Sequence, residues 1–325
     1  MSRAVLVSAY GGPEVLQISD VDPGHPGEGQ ALIRQTAIGI NYIDVYHRTG
    51  IYPAASLPFT PGSEGAGVVM ETGAGVAYVK PGDRVAYAGA SGAYAETRLV
   101  AADRLVKLPD TVSDQIAAAS MLKGMTAHYL LRRTHRVRPG DVILFHAAAG
   151  GVGLIAGQWA KSLGATVIGT AGSPEKAALA LANGYDHVIN YRTENFAERV
   201  REITDGRMCD VVYDSVGKDT FPASLDCIRP LGMFVSFGQS SGLVPPFNLG
   251  LLAQKGSLFV TRPVLHAYIA KRSDLEATAE ELFGVIGSGT VNIKIHKAYR
   301  FDDVAQAHRD LEGRQTTGAS ILVTG

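Results

Sequence analysis

The chain has little cysteine, little net charge and no uninterrupted membrane-length apolar run, and each shortage closes off a class of protein. Its two cysteines, Cys209 and Cys227, are too few for a disulfide framework and belong to no metal-ligand cluster, as expected in a reducing compartment. Net charge is −1, from 30 basic and 31 acidic residues, with no long run of either sign. A nucleic-acid partner held by a strong electrostatic footprint is therefore not indicated. The first residues, Met1-Ser-Arg-Ala-Val-Leu-Val7, hold no apolar core long enough for a signal peptide. Val142 to Ala160 is apolar enough to suggest a membrane span, but His146, Gln158 and a glycine turn make it a buried strand and helix. Internal repeats and low-complexity segments are also lacking. What is present is ordinary for a soluble enzyme with a full core: 46% hydrophobic and 19% charged residues in a chain of 325, a length that suits about two domains. The expectation is a cytoplasmic two-domain protein with no membrane partner.

The richest stretch is Asp141-Val-Ile-Leu-Phe-His-Ala-Ala-Ala-Gly-Gly-Val-Gly153. Val142 to Phe145 suits a buried parallel strand. Small residues follow, and then Val152, Ile155, Ala156, Trp159, Ala160 and Leu163 recur at helical spacing, with Gly164 as a C-cap. Strand, glycine turn and helix together make a site for a dinucleotide pyrophosphate. Small residues let the backbone approach it, and the helix N-terminus offers free N–H groups. The motif departs from G-x-G-x-x-G at its first position, Ala148, and no Lys-Ser or Lys-Thr follows Gly153, which excludes a triphosphate P-loop. An NAD site carries an acid roughly 20 residues further on, for the ribose 2′-hydroxyl. Here the strand Thr166 to Thr170 ends in Ala171-Gly-Ser173, with Lys176 one turn into the next helix and Tyr191-Arg192 after a third strand. A hydroxyl, a lysine and an aromatic beside an arginine suit a 2′-phosphate, and the cofactor reads as NADPH. Glu175 is the one residue that leans towards NADH.

Before residue 114 the chain has short strands divided by Gly/Pro turns, which indicates a β-rich lobe. Asp114 to Arg133 reads as mostly helical, interrupted at Lys123-Gly124-Met-Thr126, where a domain border is expected. After Gly140 strands near 142–146, 166–170, 187–190, 210–213, 233–237 and 258–262 alternate with helical patterns. Six parallel strands make a doubly wound sheet. From Pro263 on come a helix from Asp274 to Gly287, a strand near 293–297, a helix from Phe301 to Leu311, and a strand from Ala319 to Val323 expected to return to the first lobe. The fold class is thus α/β, a Rossmann domain at 124–263 inserted into a β-rich catalytic lobe formed by 1–123 and 264–325.

Gly11-Gly-Pro-Glu-Val-Leu16, Gly39-Ile-Asn-Tyr-Ile-Asp44, Ala147 to Gly153, Val212 to Gly217, Val235-Ser-Phe-Gly238 and Val260-Thr-Arg-Pro263 together carry a resemblance that spans the whole chain. The sequence resembles the quinone oxidoreductase branch of the medium-chain dehydrogenase/reductase superfamily, which includes bacterial NADPH:quinone reductases and zeta-crystallin. The resemblance implies a GroES-like β-barrel in the catalytic lobe, an active site in the cleft beside the Rossmann domain, NADPH as cofactor and a homodimer that pairs through the Rossmann domain. It assigns Asn41 and Thr126 to the nicotinamide end, Ala149, Gly150, Gly151, Val152 and Gly153 to the pyrophosphate, and Ser173, Lys176 and Tyr191 to the 2′-phosphate. Ser215, Phe237, Gly238 and Ser240 border the cofactor, and Val260, Arg262 and Arg314 close over the nicotinamide. The zinc alcohol dehydrogenases of the same superfamily carry metal ligands at two places where this chain has Asn41-Tyr42 and, in a Gly62-Ser63-Glu64 element, Ser63 for histidine. Their cysteine-rich structural zinc lobe is also missing, so no metal is expected.

Hydride chemistry without a metal suits a quinone, whose reduction makes an aromatic ring. A donor should steady charge growing on the quinone oxygen, and Asn41, Tyr46 and Tyr52, in the segment that replaces the zinc site, are the catalytic candidates. Asp44 reads as ordering a helix start and His146 as a satisfied buried imidazole. Reduction of an activated C=C bond in an enone or enal is the alternative reaction. A crystallin-like or RNA-binding role is the non-enzymatic one, since a fold alone fixes no function.

Overall fold

The computed structural model describes residues 1–324 and separates into two compact units. One comprises Met1–Met125, Ile269–Gly287 and the chain from Ile293 on; the other comprises Thr126–Tyr268 with Ser288–Asn292. The sequence places its borders after 123 and 263; the compact units divide after Met125 and Tyr268, and 288–292 joins the second unit.

The first unit is strand-rich. It opens with β1 (Ser2–Leu6), β2 (Gln17–Val21) and β3 (Gln30–Ile40), followed by helix α1 (Tyr42–Arg48). Strands β4 (Glu64–Thr72), β5 (Arg84–Ala88), β6 (Thr97–Ala101) and β7 (Val106–Lys107) lead to helix α2 (Asp114–His128). Along β3 the first residues alternate between buried and less buried, as a half-covered strand requires, and the last four are all buried. Val5, Ile33, Ile38, Val85, Tyr87, Tyr94 and Leu105 form the core of this unit. The expected interruption at Lys123–Thr126 is absent, and α2 runs straight through it before widening into a π-helical stretch, Tyr129–Thr134. The reason is packing. A Cβ on Gly124 would lie 2.4 Å from Leu282 Cδ1, so this glycine admits a neighbour rather than breaking a helix.

The second unit alternates strand and helix. It contains β8 (Val142–Phe145), α3 (Gly151–Ser162), β9 (Thr166–Ala171), α4 (Pro174–Leu181), β10 (His187–Asn190), α5 (Phe196–Ile203) and β11 (Cys209–Asp214). After these come β12 (Ile228–Ser236), α6 (Gly250–Gln254), β13 (Phe259–Thr261) and α7 (Leu265–Tyr268). All pairings are parallel, in the order β10-β9-β8-β11-β12-β13, the doubly wound arrangement. Every residue of β11 is buried, as in a strand covered on both faces. The order reverses between β8 and β11, and a ligand crevice forms beyond the carboxyl ends of strands at such a point.

The chain then re-enters the first unit through α8 (Arg272–Gly287), β14 (Ile295–Arg300), α9 (Val304–Glu312) and β15 (Ala319–Val323). β15 pairs antiparallel with β3, Ser320 opposite Ile40, and joins β14 to the large sheet. The expected return of the last strand to the first lobe is this pairing.

Candidate functional site

In the second unit most of the expected cofactor residues follow the carboxyl ends of β8, β9, β11 and β12, while Tyr191 follows β10, Val260 lies on β13 with Arg262 just past it, and Thr126 is on α2. After β8 the chain turns through Ala147, which takes a left-handed φ of 55°, and Gly150 caps α3 in an extended conformation. A Cβ on Gly153 would sit 2.5 Å from both the Ala147 and Ala148 carbonyl oxygens. Helix α3 can therefore start this close to its own turn only with glycine there, leaving Gly150–Gly153 backbone at the open end of the helix. Ala149 is buried behind them.

At the end of β9, Ser173 caps α4, its hydroxyl accepting from the Lys176 N–H at 3.3 Å. Tyr191 leans over the same turn, with its hydroxyl 2.5 Å from where a Gly172 Cβ would be. Ser173, Lys176 and Tyr191 are thus neighbours. Glu175 is exposed, and the Ser173 hydroxyl bound to it holds its carboxyl below the usual range. Asp214 organises the next two turns. Its side chain accepts from Val216 N at 2.7 Å, Gly217 N at 2.9 Å and the Thr220 hydroxyl at 2.6 Å, while its carbonyl accepts from Phe237 N at 2.7 Å. Ser240 N reaches the Ser215 carbonyl at 3.1 Å, and a Cβ on Gly238 would lie 2.7 Å from that oxygen. Ser215, Phe237, Gly238 and Ser240 are brought together by these contacts. Arg262 donates to the Ser236 carbonyl at 3.0 Å, and its charge reaches Tyr129, whose phenol hydrogen-bonds Thr126. Val260 stands on the edge strand and is 39% exposed. His146 is fully buried between the Thr170 and Ser224 hydroxyls, at 3.0 and 2.9 Å.

In the first unit Asn41 caps α1, and Tyr46 lies edge-on to both Tyr42 and Tyr52, at 5.4 and 5.2 Å between ring centroids. Asn41, Tyr46 and Tyr52 therefore belong to one local cluster. The Asn41 amide is committed, its Nδ2 donating to Glu64 Oε1 at 2.8 Å, so its orientation is set from below. Arg314 also lies in this unit, with a left-handed φ of 56°, and its charge is felt at Tyr42.

Four features escape the sequence reading, apart from the helix start expected of Asp44. Glu64 is fully buried and holds Lys123 at 2.5 Å and the Leu122 N–H at 2.6 Å. Asp44, also fully buried, accepts from Asn41 N at 2.9 Å, the Ser63 hydroxyl at 2.7 Å and the Tyr94 hydroxyl at 3.0 Å. Burial pushes its carboxyl up to about 6 against the pull of these donors and of Lys123. His308 bridges Tyr94 and Arg48, at 2.9 and 3.1 Å, and burial, then Arg48, drives its imidazole down to about 3. Arg48 is 1% exposed and grips Glu312 through two contacts of 2.8 Å. The available signal was helical spacing, Asp44 to Arg48 and His308 to Glu312, which sets each pair on one face. Among the described residues no group of three or more His, Cys, Asp or Glu is arranged to hold a metal ion.

Residues 27–110 match the alcohol dehydrogenase GroES-like domain family, and residues 151–281 the zinc-binding dehydrogenase family. Over 324 residues, 99% of this chain and the whole of its relative, the sequence is 53% identical to quinone oxidoreductase of Pseudomonas aeruginosa. The chain belongs to the quinone oxidoreductase branch of the medium-chain dehydrogenases/reductases. This quinone oxidoreductase homologue superimposes on the crystal structure of Escherichia coli quinone oxidoreductase complexed with NADPH with a TM-score of 0.97, at 50% identity, covering 99% of this chain and all of the other. It is also 45% identical to 2-haloacrylate reductase of a Burkholderia species, over 99% of both chains. The expected fold class, a Rossmann domain inserted into a GroES-like lobe, is the one these matches and the two larger sheets show.

Proposed function

We propose that this protein is an NADPH-dependent quinone oxidoreductase that acts as a cytoplasmic homodimer. The observation that carries the reading is the glycine turn into α3 combined with a β9 end that offers Ser173, Lys176 and Tyr191 where an NAD site carries an acid. These residues fit the cofactor: the turn has no room for side chains, and the donor set is chosen for a phosphate. When bound, NADPH supplies a hydride. The N–H groups of Gly151 to Gly153 would hold the pyrophosphate, with Gly150 keeping the turn through its own bond to the Ala147 carbonyl. The Ser173 hydroxyl and Lys176 ammonium would hold the 2′-phosphate, and Thr126 with the 214–217 and 236–240 turns the remainder. Val260 and Arg262 would complete the nicotinamide end within the second unit. Asn41, Tyr46 and Tyr52 would place the acceptor and offer donors to its oxygen. Full-length similarity to named quinone oxidoreductases, one of them solved with NADPH, supports the reaction and the cofactor.

The dimer is supported by β13. It is the outer strand of its sheet, and it exposes Phe259 and Val260, with Val264 exposed just after it in the chain. An apolar strand edge left open in a soluble chain calls for a partner, and a second copy offers the matching edge. The cytoplasmic reading rests on two buried free cysteines and on the finding that no helix of the described residues is long and apolar enough to cross a membrane.

A second reaction, reduction of an activated C=C bond, is favoured by the similarity to 2-haloacrylate reductase. Oxidation of NADPH by the EDTA-treated protein, followed with quinones, enals and 2-haloacrylates and repeated with NADH, separates the two. Fast, NADPH-selective turnover of quinones is expected. Turnover of the alkenes alone would replace the quinone reading with the second one.

A further inference from the structure

Two buried carboxylates flank Asn41, and the fold treats them differently. Glu64 has a cation, Lys123, as well as the Asn41 amide and the Leu122 N–H. Asp44 is held by neutral donors: the Asn41 N–H and Tyr94 hydroxyl on Oδ2, the Ser63 hydroxyl on Oδ1. The proton positions behind it follow from the chemistry of the partners. Arg48 has only donors, so His308 Nδ1 accepts from it, and the neutral ring carries its hydrogen on Nε2. That hydrogen points to the Tyr94 oxygen, and the Tyr94 hydrogen in turn to Asp44. The Arg48–His308–Tyr94 chain therefore fixes Oδ2 as an acceptor and leaves Oδ1, facing Ser63, as the only oxygen of Asp44 free to change.

A carboxyl so placed has two states that its surroundings accept equally. Ionised, Oδ1 accepts the Ser63 hydrogen. Protonated, Oδ1 donates to Ser63 Oγ, and the Ser63 hydrogen turns away from Asp44 while the bonds on Oδ2 stay as they are. One hydrogen bond reverses and nothing else moves. Ser63 shares Asp44 with Asn41, and its neighbour Glu64 accepts from the Asn41 amide, so Ser63 lies beside the residue that would place the acceptor.

We propose that Ser63 and Asp44 form the proton-delivery pair of the quinone reaction, Ser63 giving its hydroxyl proton to the oxygen of the reduced acceptor and Asp44 replacing it. The inference rests on the quinone reading above. An acceptor that has gained a hydride has gained two electrons and one hydrogen, and one of its oxygens is left as an anion. The Ser63 O–H bond breaks towards that oxygen as the Asp44 Oδ1–H bond breaks towards Ser63 Oγ. The product gains its second hydrogen, Ser63 is restored, and Asp44 is left as a carboxylate. After the product leaves, a proton from water returns to Asp44 through the Ser63 hydroxyl by the reverse exchange, since Asp44 itself is fully buried. Burial raises Asp44 to about 6, so both states are accessible near neutral pH. The charged and titratable groups around it are Arg48 on α1, Glu64 on β4, Tyr87 on β5, Tyr94 between β5 and β6, Lys123 on α2, and His308 and Glu312 on α9. Lys123 pulls Asp44 down, while His308 stays neutral throughout this range and Arg48 is matched by Glu312.

The test uses the full chain with D44N and S63A. An asparagine side chain reproduces the protonated form of Asp44, its oxygen accepting from Asn41 and Tyr94 and its NH₂ donating to Ser63, so D44N keeps the fold but holds no transferable proton. Both variants are expected to lose kcat by about a hundredfold with quinones whose reduced oxygen is basic. They should lose far less with halogenated quinones, whose reduced anion needs no proton, and NADPH binding followed by fluorescence should be unchanged. Wild-type kcat with the basic quinones should fall as pH rises above about 6, and D44N should show no such limb. An equal loss with every quinone, or wild-type kcat in D44N, would overturn the pair. Carbon-13 NMR of the aspartate carboxyls needs no acceptor. A resonance missing in D44N and titrating near 6 is expected, and one titrating in the ordinary carboxylate range would overturn the pair even if wild type reduced no quinone at all, the result that sinks the quinone reading itself.

Discussion

Replacing Lys123 by methionine keeps a long side chain in the same space and removes its charge. Lys123 is 6% exposed and Glu64 is 0% exposed, so the carboxylate left behind has no route to water. It would keep the Leu122 N–H and the Asn41 amide but lose its only cation contact among the described residues. Breaking a buried pair from one side costs about 3–5 kcal/mol, because an uncompensated charge stays buried. At about 2–4 °C per kcal/mol for a unit of this size, the transition of the strand-rich unit should fall by on the order of 10 °C. The double variant E64Q/K123M removes both charges. Its amide can still accept from Leu122, and Asn41 can turn its own amide to match, so about 2 kcal/mol of the loss should return as coupling between the two positions. Urea denaturation of wild type, both single variants and the double variant gives the cycle directly. A K123M protein within about 1 kcal/mol of wild type, or a double variant no more stable than K123M, would refute the reasoning.

Gly153→Val drives a side chain into two carbonyl oxygens 2.5 Å away, so the turn must open; NADPH affinity measured by fluorescence should fall by about tenfold or more, the scale of a lost contact of 1.4 kcal/mol. Lys176→Ala should cut the selectivity for NADPH over NADH by about tenfold or more, on the scale of a charge-assisted hydrogen bond worth about 1.5–3 kcal/mol, read from kcat/KM with each cofactor. Unchanged selectivity would remove Lys176 from the 2′-phosphate site. Phe259→Lys sets a charge on the open strand edge and should shift the mass found by light scattering from a dimer towards the 34.3 kDa chain. A wild-type protein already at the single-chain mass would end the dimer proposal.

The second unit was legible in the sequence because each of its signals is local. Val142 to Phe145, the small residues and the helical period of α3 lie within one stretch, and the missing acid after β9 is visible by counting. Lys123 to Thr126 was misread for the opposite reason. Gly124 looks like a break from its neighbours, while the side chain that requires it, Leu282, comes from a distant helix. The network around Asp44 was illegible on the same ground, since Arg48 and His308 stand 260 positions apart. Asp44 was correctly read as ordering the start of α1, through its contact with the Asn41 N–H, but its other donors come from elements whose approach no spacing rule reveals.

The pairing of β15 with β3 also sets an order of events during synthesis. The nucleotide unit is nearly continuous in sequence, from Thr126 to Tyr268, and all six of its strands emerge together. The strand-rich unit must wait, because Ser320 to Val323 are required opposite Ala37 to Ile40, and those residues leave the ribosome after the whole of the nucleotide unit. While the chain grows, the edge of β3 that β15 will cover stays open, and its apolar residues are available to other chains. The half made first is therefore finished last, and truncations or slow decoding near the C-terminus should show themselves as aggregation of the N-terminal lobe, with the nucleotide-binding half intact.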